Sequence, residues 1–215
     1  MRRDEIIKGI DVPFAEYLVF YAPLTEGDLT DHISGTEASI NPNATVQWDA
    51  ASQMLHLYTA NAVSSPSYEK SIWWENLAKL MSFPDGVTLY AEMEEVNGEC
   101  SGNSYSAIVA TPTVKSGPSP YYMCNYRYTY KGGSGNGYIE RLSHAKYSAV
   151  FGTNGTVDFY KDSVLKGGVT NWSTPVNDGS VSVCQLNSNN YKYGIKIRDV
   201  RIYNRQLSVS ELAQL

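Results

Sequence analysis

Period-two alternation, broken about every ten residues by Gly, Pro, Asn or Asp, limits this chain more than any other feature, because only strands send successive side chains to opposite faces. The clearest stretch is 87–96, where Val87, Leu89, Ala91 and Met93 alternate with Thr88, Tyr90, Glu92 and Glu94. The same pattern predicts strands at 17–21, 45–48, 54–59, 106–110, 122–130, 138–142, 146–151, 157–161, 180–185 and 194–203. Many short strands with turn residues between them predict an all-β sandwich or barrel.

Two segments depart from that period. Leu77, Leu80 and Met81 have helical spacing, which predicts a short helix at 75–81, ended by Phe83, Pro84, Asp85 and Gly86. At the C-terminus, Ser208 with Glu211 three residues on forms a capping-box pattern, and Leu207 with Leu212 a hydrophobic staple, so a second short helix is expected at 208–214. Lys131 to Gly137 is too rich in glycine to be anything but a loop.

Composition excludes several functions. With 17 Lys and Arg against 22 Asp and Glu the net charge is −5, which lacks the basic face that displaces phosphate counterions from nucleic acid. The 42% hydrophobic content supplies a sizeable core, and sandwiches of this size fold as one unit. Charged residues are only 18%, below the roughly 25% of an average domain, so the surface must be rich in Ser, Thr, Asn, Gly and Tyr. The longest apolar run, 18–24, is far short of the roughly 20 residues of a spanning helix. Read as it stands, the N-terminus shows no export signal. Cys100, Cys124 and Cys184 are odd in number and widely spaced, which suits reduced, buried thiols better than a disulfide framework or a zinc site.

Aromatic residues are the main lead to a ligand. There are 17 Tyr against 5 Phe, and amphipathic rings suit strands with one wet face and platforms for the C–H faces of sugars. On a strand at 122–130, Tyr126, Tyr128 and Tyr130 share one side, either as a binding stripe or as core with hydroxyls at its rim. Trp73 and Trp74 must point to opposite sides if they lie on a strand; Trp74 is taken as the ligand-binding one, the alternative being an anchor for the short helix. Trp172, between Asn171 and Ser173, falls in a polar loop. Nucleophilic catalysis has no support: His32, His56 and His144 lie in different segments, and there is no Gly-x-Ser-x-Gly elbow.

The segment Ile197-Arg198-Asp199-Val200-Arg201-Ile202-Tyr203-Asn204-Arg205-Gln206-Leu207-Ser208, with Glu211 and Leu212, resembles the closing strand and turn of the concanavalin A-like lectin/glucanase superfamily, in its laminin-G-like (LamG) branch. Residues 17–24 with Asp28, Asp31 and Gly35 resemble that family's opening strand and Asp-rich loop, and residues 147–162 its central hairpin. The tryptophan that usually precedes this hairpin is absent. The resemblance implies a jelly roll, a two-sheet antiparallel β-sandwich, over 17–215 behind an N-terminal arm, 1–16. It also implies that Asp28 and Asp31, with Glu26 nearby, are the candidate ligands for an edge calcium; the plainer reading is that they are turn residues bonding their own backbone. The hydrolase branch carries Glu-x-Asp-x-x-Glu, whereas the matching positions here are Glu92, Glu94 and Asn97, so the last acid is missing. Asp199, Arg201, Tyr203 and Arg205 are expected to hold the fold, the acid and arginine forming a structural ion pair between strands.

The function expected from these features is non-catalytic recognition of a polysaccharide or cell-surface glycan. The arm suggests docking onto neighbouring subunits in an oligomer or assembly, and with no export signal this points to a bacteriophage virion protein, such as a head decoration, fibre or tail component. A bacterial cell surface is the rival location. A purely structural protein without sugar affinity is the second reading, and a glycoside hydrolase the third.

Overall fold

Strands form where apolar residues recur at every second position, and all their ladders are antiparallel. The computed structural model describes residues 9, 11–58, 70–77, 83–96, 105–110, 121–124, 127–129, 136–138, 143–170, 179–186 and 194–215. In chain order the strands are β1 (Leu18–Ala22), β2 (Thr30–Asp31), β3 (Thr36–Glu37), β4 (Ser39–Ile40), β5 (Thr45–Asp49), β6 (Met54–Tyr58), β7 (Lys70–Trp74), β8 (Val87–Glu95) and β9 (Tyr105–Ala110). They continue as β10 (Tyr121–Cys124), β11 (Arg127–Thr129), β12 (Asn136–Tyr138), β13 (Ala145–Phe151), β14 (Val157–Lys161), β15 (Val164–Val169), β16 (Val181–Leu186) and β17 (Gly194–Tyr203), followed by helix α1 (Val209–Leu212).

Two sheets face each other. The larger runs β15-β14-β13-β8-β17-β6-β5, with β1 also on β17, and the smaller runs β10-β9-β16-β7-β4. The expected all-β sandwich is therefore the observed fold. Its core closes between them: Leu55, Leu57, Leu89, Met93, Ile195 and Ile197 of the larger sheet pack in one cluster with Ile72, Trp74, Val181 and Val183 of the smaller. Two-stranded ribbons, β2 with β3 and β11 with β12, complete the described strands.

Strand β17 organises the larger sheet. It pairs with β8 along both halves, while its other edge takes β6 at Gly194 to Ile197 and β1 at Val200 to Tyr203. The change of partner falls at a bulge between Arg198 and Arg201, where Asp199 has φ 57° and donates its N–H to the Pro23 carbonyl at 2.9 Å. An extra residue in a bulge restores the facing, so Arg198 and Arg201, three apart, both leave the core side.

The end of the larger sheet beyond this bulge carries a second apolar cluster on its outer face. Leu18, Tyr90, Val150, Tyr160 and Tyr203 lie beneath Ile33, Leu207, Leu212 and Leu215, with Val12, Phe14 and Ala15 packed against them. The described part of the 1–16 arm thus packs on its own sheet. Helix α1 starts with the expected capping box of Ser208 and Glu211, and both staple residues, Leu207 and Leu212, are buried. The Phe83 to Gly86 turn is also as expected. Gly86 has φ +81°, and a Cβ there would lie 2.4 Å from the Phe151 carbonyl oxygen, so only glycine fits.

Three expectations need correction. Glu75 to Leu77 is not helical: Asn76 sits in the left-handed region at φ 62°, which an α-helix does not admit, and 78–82 lie outside the described residues. The single strand expected at 122–130 is two, since β10 pairs with β9 in the smaller sheet and β11 with β12 in a ribbon. The pattern also passed over β2, β3, β4, β7 and β15, and it read as loop Asn136 and Gly137, which begin β12; β15 is an edge strand whose Val164, Leu165 and Lys166 are all exposed, with only Val169 buried, so little alternation marks it.

Candidate functional site

Among the described residues, the outer face of the larger sheet, on the near side of the bulge, brings together a group of polar and aromatic side chains. Because Leu55, Leu57, Met93, Ile195 and Ile197 point into the core, their neighbours His56, Tyr58, Glu92, Glu94, Lys196 and Arg198 point out. The register aligns Gln47, His56, Lys196 and Glu94 across β5, β6, β17 and β8, and aligns Arg198, Glu92 and Lys146 in the next row.

Ion pairs fix the charged part of this face. Arg198 donates to both oxygens of Glu92, from Nε at 2.9 Å and from Nη2 at 2.7 Å, and His144 Nε2 lies 2.6 Å from the same carboxylate. Burial pushes the Glu92 carboxyl up, but the hydrogen bonds and charges of Arg198 and His144 outweigh this and hold it below its ordinary value. Lys196 Nζ sits 2.5 Å from Asp49 and 3.3 Å from Glu94. The Asp49 carboxyl is held well below the carboxylate range by Lys196, with help from Ser52.

A glycosidase acid needs the opposite setting, a carboxyl whose proton is retained near neutrality. Glu92 is an ionised partner of a guanidinium, and Glu94 faces an ammonium. Glu92 therefore lacks the setting of such an acid.

Beside the ion pairs lie the rings of His56 and Tyr58, at alternate positions on β6, with centroids 4.8 Å apart and planes tilted by 31°. Both are half-buried, and Gln47 beside them is exposed. Neither His56 nor Tyr58 was singled out as a ligand-binding residue from the sequence, although their alternation with Leu55 and Leu57 was there to be read.

The expected site residues are scattered by comparison. Trp74 is corrected to a core residue: it is 0% exposed, its indole N–H donates to the Leu29 carbonyl at 2.9 Å, and its ring meets Phe20 edge-on at 5.0 Å. The register of β7 turns Ile72 and Trp74 inward, opposite Val183 and Val181. Tyr128 lies mid-strand on β11, opposite Gly137. Tyr126, Tyr130 and Trp172 lie outside the described residues, as does Cys100; Cys184 is buried as a free thiol.

The aspartates of the first loop are also corrected. Asp31 is 0% exposed, and its oxygens accept from the N–H groups of Tyr21 at 2.9 Å, Ile33 at 3.1 Å and Ser34 at 3.0 Å and from the Ser34 hydroxyl at 2.5 Å. Asp28 accepts from Thr30 N–H at 3.0 Å and pairs with His32 Nε2 at 2.7 Å. Asp31, turned toward three N–H groups and a hydroxyl, stabilises the turn, and Asp28 bonds its own loop as a turn residue does. Among the described residues no group of three or more His, Cys, Asp or Glu is placed to hold a metal ion.

The family-like residues form ion pairs, but not the one expected between strands. Arg201 is clamped by Asp199, Nε and Nη2 each donating at 2.6 Å, and lies 5.0 Å from the Tyr90 ring centroid and 5.9 Å from that of Tyr21. The pair lies within one strand, across the bulge. Arg205 binds Glu211 at 2.6 and 3.2 Å and stacks 4.1 Å from the Tyr17 ring centroid.

Among the described residues no helix is long and apolar enough to cross a membrane. No family model and no curated protein matches the chain. Solved structures do. The chain resembles the binding domain of Paraclostridial Mosquitocidal Protein 1 with a TM-score of 0.64 at 10% identity, over 92% of this chain and 51% of that one. It resembles the receptor binding domain of a botulinum neurotoxin C/D mosaic serotype with a TM-score of 0.64 at 15% identity, over 92% and 50%. A third match, TM-score 0.63 at 12% identity over 92% and 50%, comes from a study of botulinum neurotoxin type C whose cell entry depends on two ganglioside molecules. The chain thus spans about half the length of the structures it matches, and at these identities the likeness is one of fold: a β-sandwich also found in binding domains.

Proposed function

We propose that this chain is a non-catalytic recognition module that binds a glycan or glycan-bearing receptor through the outer face of its larger sheet. The observation that carries this reading is the state of the face's carboxylates. Glu92 is paired with Arg198, and Glu94 and Asp49 share Lys196, which leaves fixed hydrogen-bonding groups beside two rings. The occurrence of the same fold in receptor-binding domains supports this reading. The LamG-like closing motif supports a place in the concanavalin A-like superfamily, and the setting we propose is display at a surface, that of a bacteriophage virion or of a bacterial cell.

An array of bacterial capsular and dietary polysaccharides, probed with and without EDTA while product release is followed, tests this. Saturable, EDTA-insensitive binding without turnover is the expected result. Turnover that Glu92→Gln abolishes would replace the reading with glycoside hydrolysis. Absence of binding to every glycan would replace it with a structural role in an assembly.

A further inference from the structure

The geometry points to a specific subsite for a neutral saccharide, formed by Tyr58, His56 and Gln47 on β5 and β6 next to the Lys196 ion pairs. It rests on the recognition reading above and adds the residues and the class of sugar. Four features of this patch coincide.

First, the rings of His56 and Tyr58 lie against each other, with centroids 4.8 Å apart and planes tilted by 31°, which fixes both rings before a pyranose presents its C–H face to one of them. Second, the flanks of Tyr58 are low. Gly194 stands opposite it on β17 and Thr45 on β5, so no bulky side chain rises beside the ring on either neighbouring strand. Third, His56 is flanked in register by Gln47 on one side and Lys196 on the other. These supply an amide, with both donors and an acceptor, and an ammonium donor for sugar hydroxyls. Fourth, Lys196 is already held by Asp49 at 2.5 Å and Glu94 at 3.3 Å. Ordering these groups before the ligand arrives lowers the entropy lost on binding.

Charge selects the class of sugar. One ammonium against two carboxylates leaves the Lys196 cluster net negative, on a chain whose overall charge is −5. An anionic sugar meets repulsion there, whereas a neutral hexose finds acceptors for its hydroxyls in Asp49, Glu94 and Gln47.

The test is a titration of the full chain with lactose, maltotriose and sialyllactose, followed by proton NMR of the three histidines, with His32 and His144 as internal references. The neutral sugars should move the His56 ring signals and leave those of His32 and His144 in place, with sialyllactose weaker. Tyr58→Ala and Gln47→Ala should each weaken binding, Tyr58→Ala by on the order of tenfold, while Leu165→Ser on the remote edge strand changes nothing. Gln47 is exposed, so its variant keeps the test valid if Tyr58→Ala unfolds. No movement of His56 with either neutral sugar up to its solubility overturns the subsite, as does preferential binding of sialyllactose. Glycan binding on the array that survives both substitutions overturns the subsite and leaves the recognition reading standing. Absence of binding to every arrayed glycan and to these three sugars removes both.

Discussion

Two arginines of one strand, Arg198 and Arg201, show how differently the two ends of the larger sheet's outer face are built. Each holds a carboxylate through two donors, and both rise from the side of β17 away from the core. Arg201 is 7% exposed, beneath the second apolar cluster, whereas Arg198 is 35% exposed on the open end. The bulge at Asp199 separates a guanidinium that belongs to the interior from one that belongs to a surface, although Glu92 at 12% exposed is less open than Asp199 at 23%. The same chemistry should therefore have unequal energetic weight, because a cation out of water costs several kcal/mol unless its partner and stacking rings compensate.

The largest effect is expected at the covered end. Arg201→Ala strands Asp199, removes the guanidinium between Tyr21 and Tyr90 and opens a void under the C-terminal residues. Breaking a buried pair costs about 3 to 5 kcal/mol, and the lower figure applies because Asp199 keeps contact with solvent. Urea denaturation followed by tryptophan fluorescence measures this directly. A loss of under about 1 kcal/mol would erase the contrast between the two ends.

An intermediate effect is expected where the cover is tied down. Glu211 closes the helix start by accepting from Ser208 N–H at 2.8 Å and clamps Arg205, and Arg205 and the Ser208 backbone, in that order, bring its carboxyl down from 4.5 to about 2. Since the folded value lies below the unfolded one, this contribution is complete above pH 4.5 and disappears as the pH falls from there toward about 2. Glu211→Gln should cost about 1 kcal/mol at neutral pH, a figure kept small by its exposure to solvent. In thermal unfolding across pH, the gap between variant and wild type should close over that window, and a gap independent of pH would assign the loss to packing instead.

The covered end was the more legible of the two in the sequence. Ser208, Glu211, Leu207 and Leu212 are close neighbours in the chain, so capping box and staple can be read from spacing alone, and the same holds for the alternating strand at 87–96. What could not be read was anything set by register. Which of Trp73 and Trp74 turns inward depends on how β7 pairs with β16, and the sequence carries no mark of that pairing. Nothing near Glu92 announces Arg198, since they meet only because β17 lies beside β8. The bulge is hidden for a different reason: Asp199 takes a left-handed φ that glycine would have signalled and aspartate only tolerates. The Asp28 and Asp31 loop was ambiguous between turn and cation site. The N–H groups of Tyr21, Ile33 and Ser34 decide it, and the first of these comes from a strand ten residues away.

The smallest expected effect lies at the open end, and it bears most directly on function. Arg198→Gln removes the two donors on Glu92, whose side chain is 12% exposed, but leaves His144 at 2.6 Å. Because the guanidinium it removes is 35% exposed, the loss should fall toward the upper end of the roughly 0 to 1 kcal/mol of exposed pairs. What should change is the carboxylate itself. Freed of the guanidinium, Glu92 should titrate higher, toward its usual 4.5, a shift that carbon-detected NMR of the side-chain carboxyl would follow. Salt separates the ends once more: molar salt should weaken the Glu92 and Arg198 pair and leave the pair under the cover nearly untouched, because screening acts through solvent. A salt response at Asp199 equal to that at Glu92 would mean that the C-terminal cover admits water, and that the two arginines differ by less than their exposures indicate.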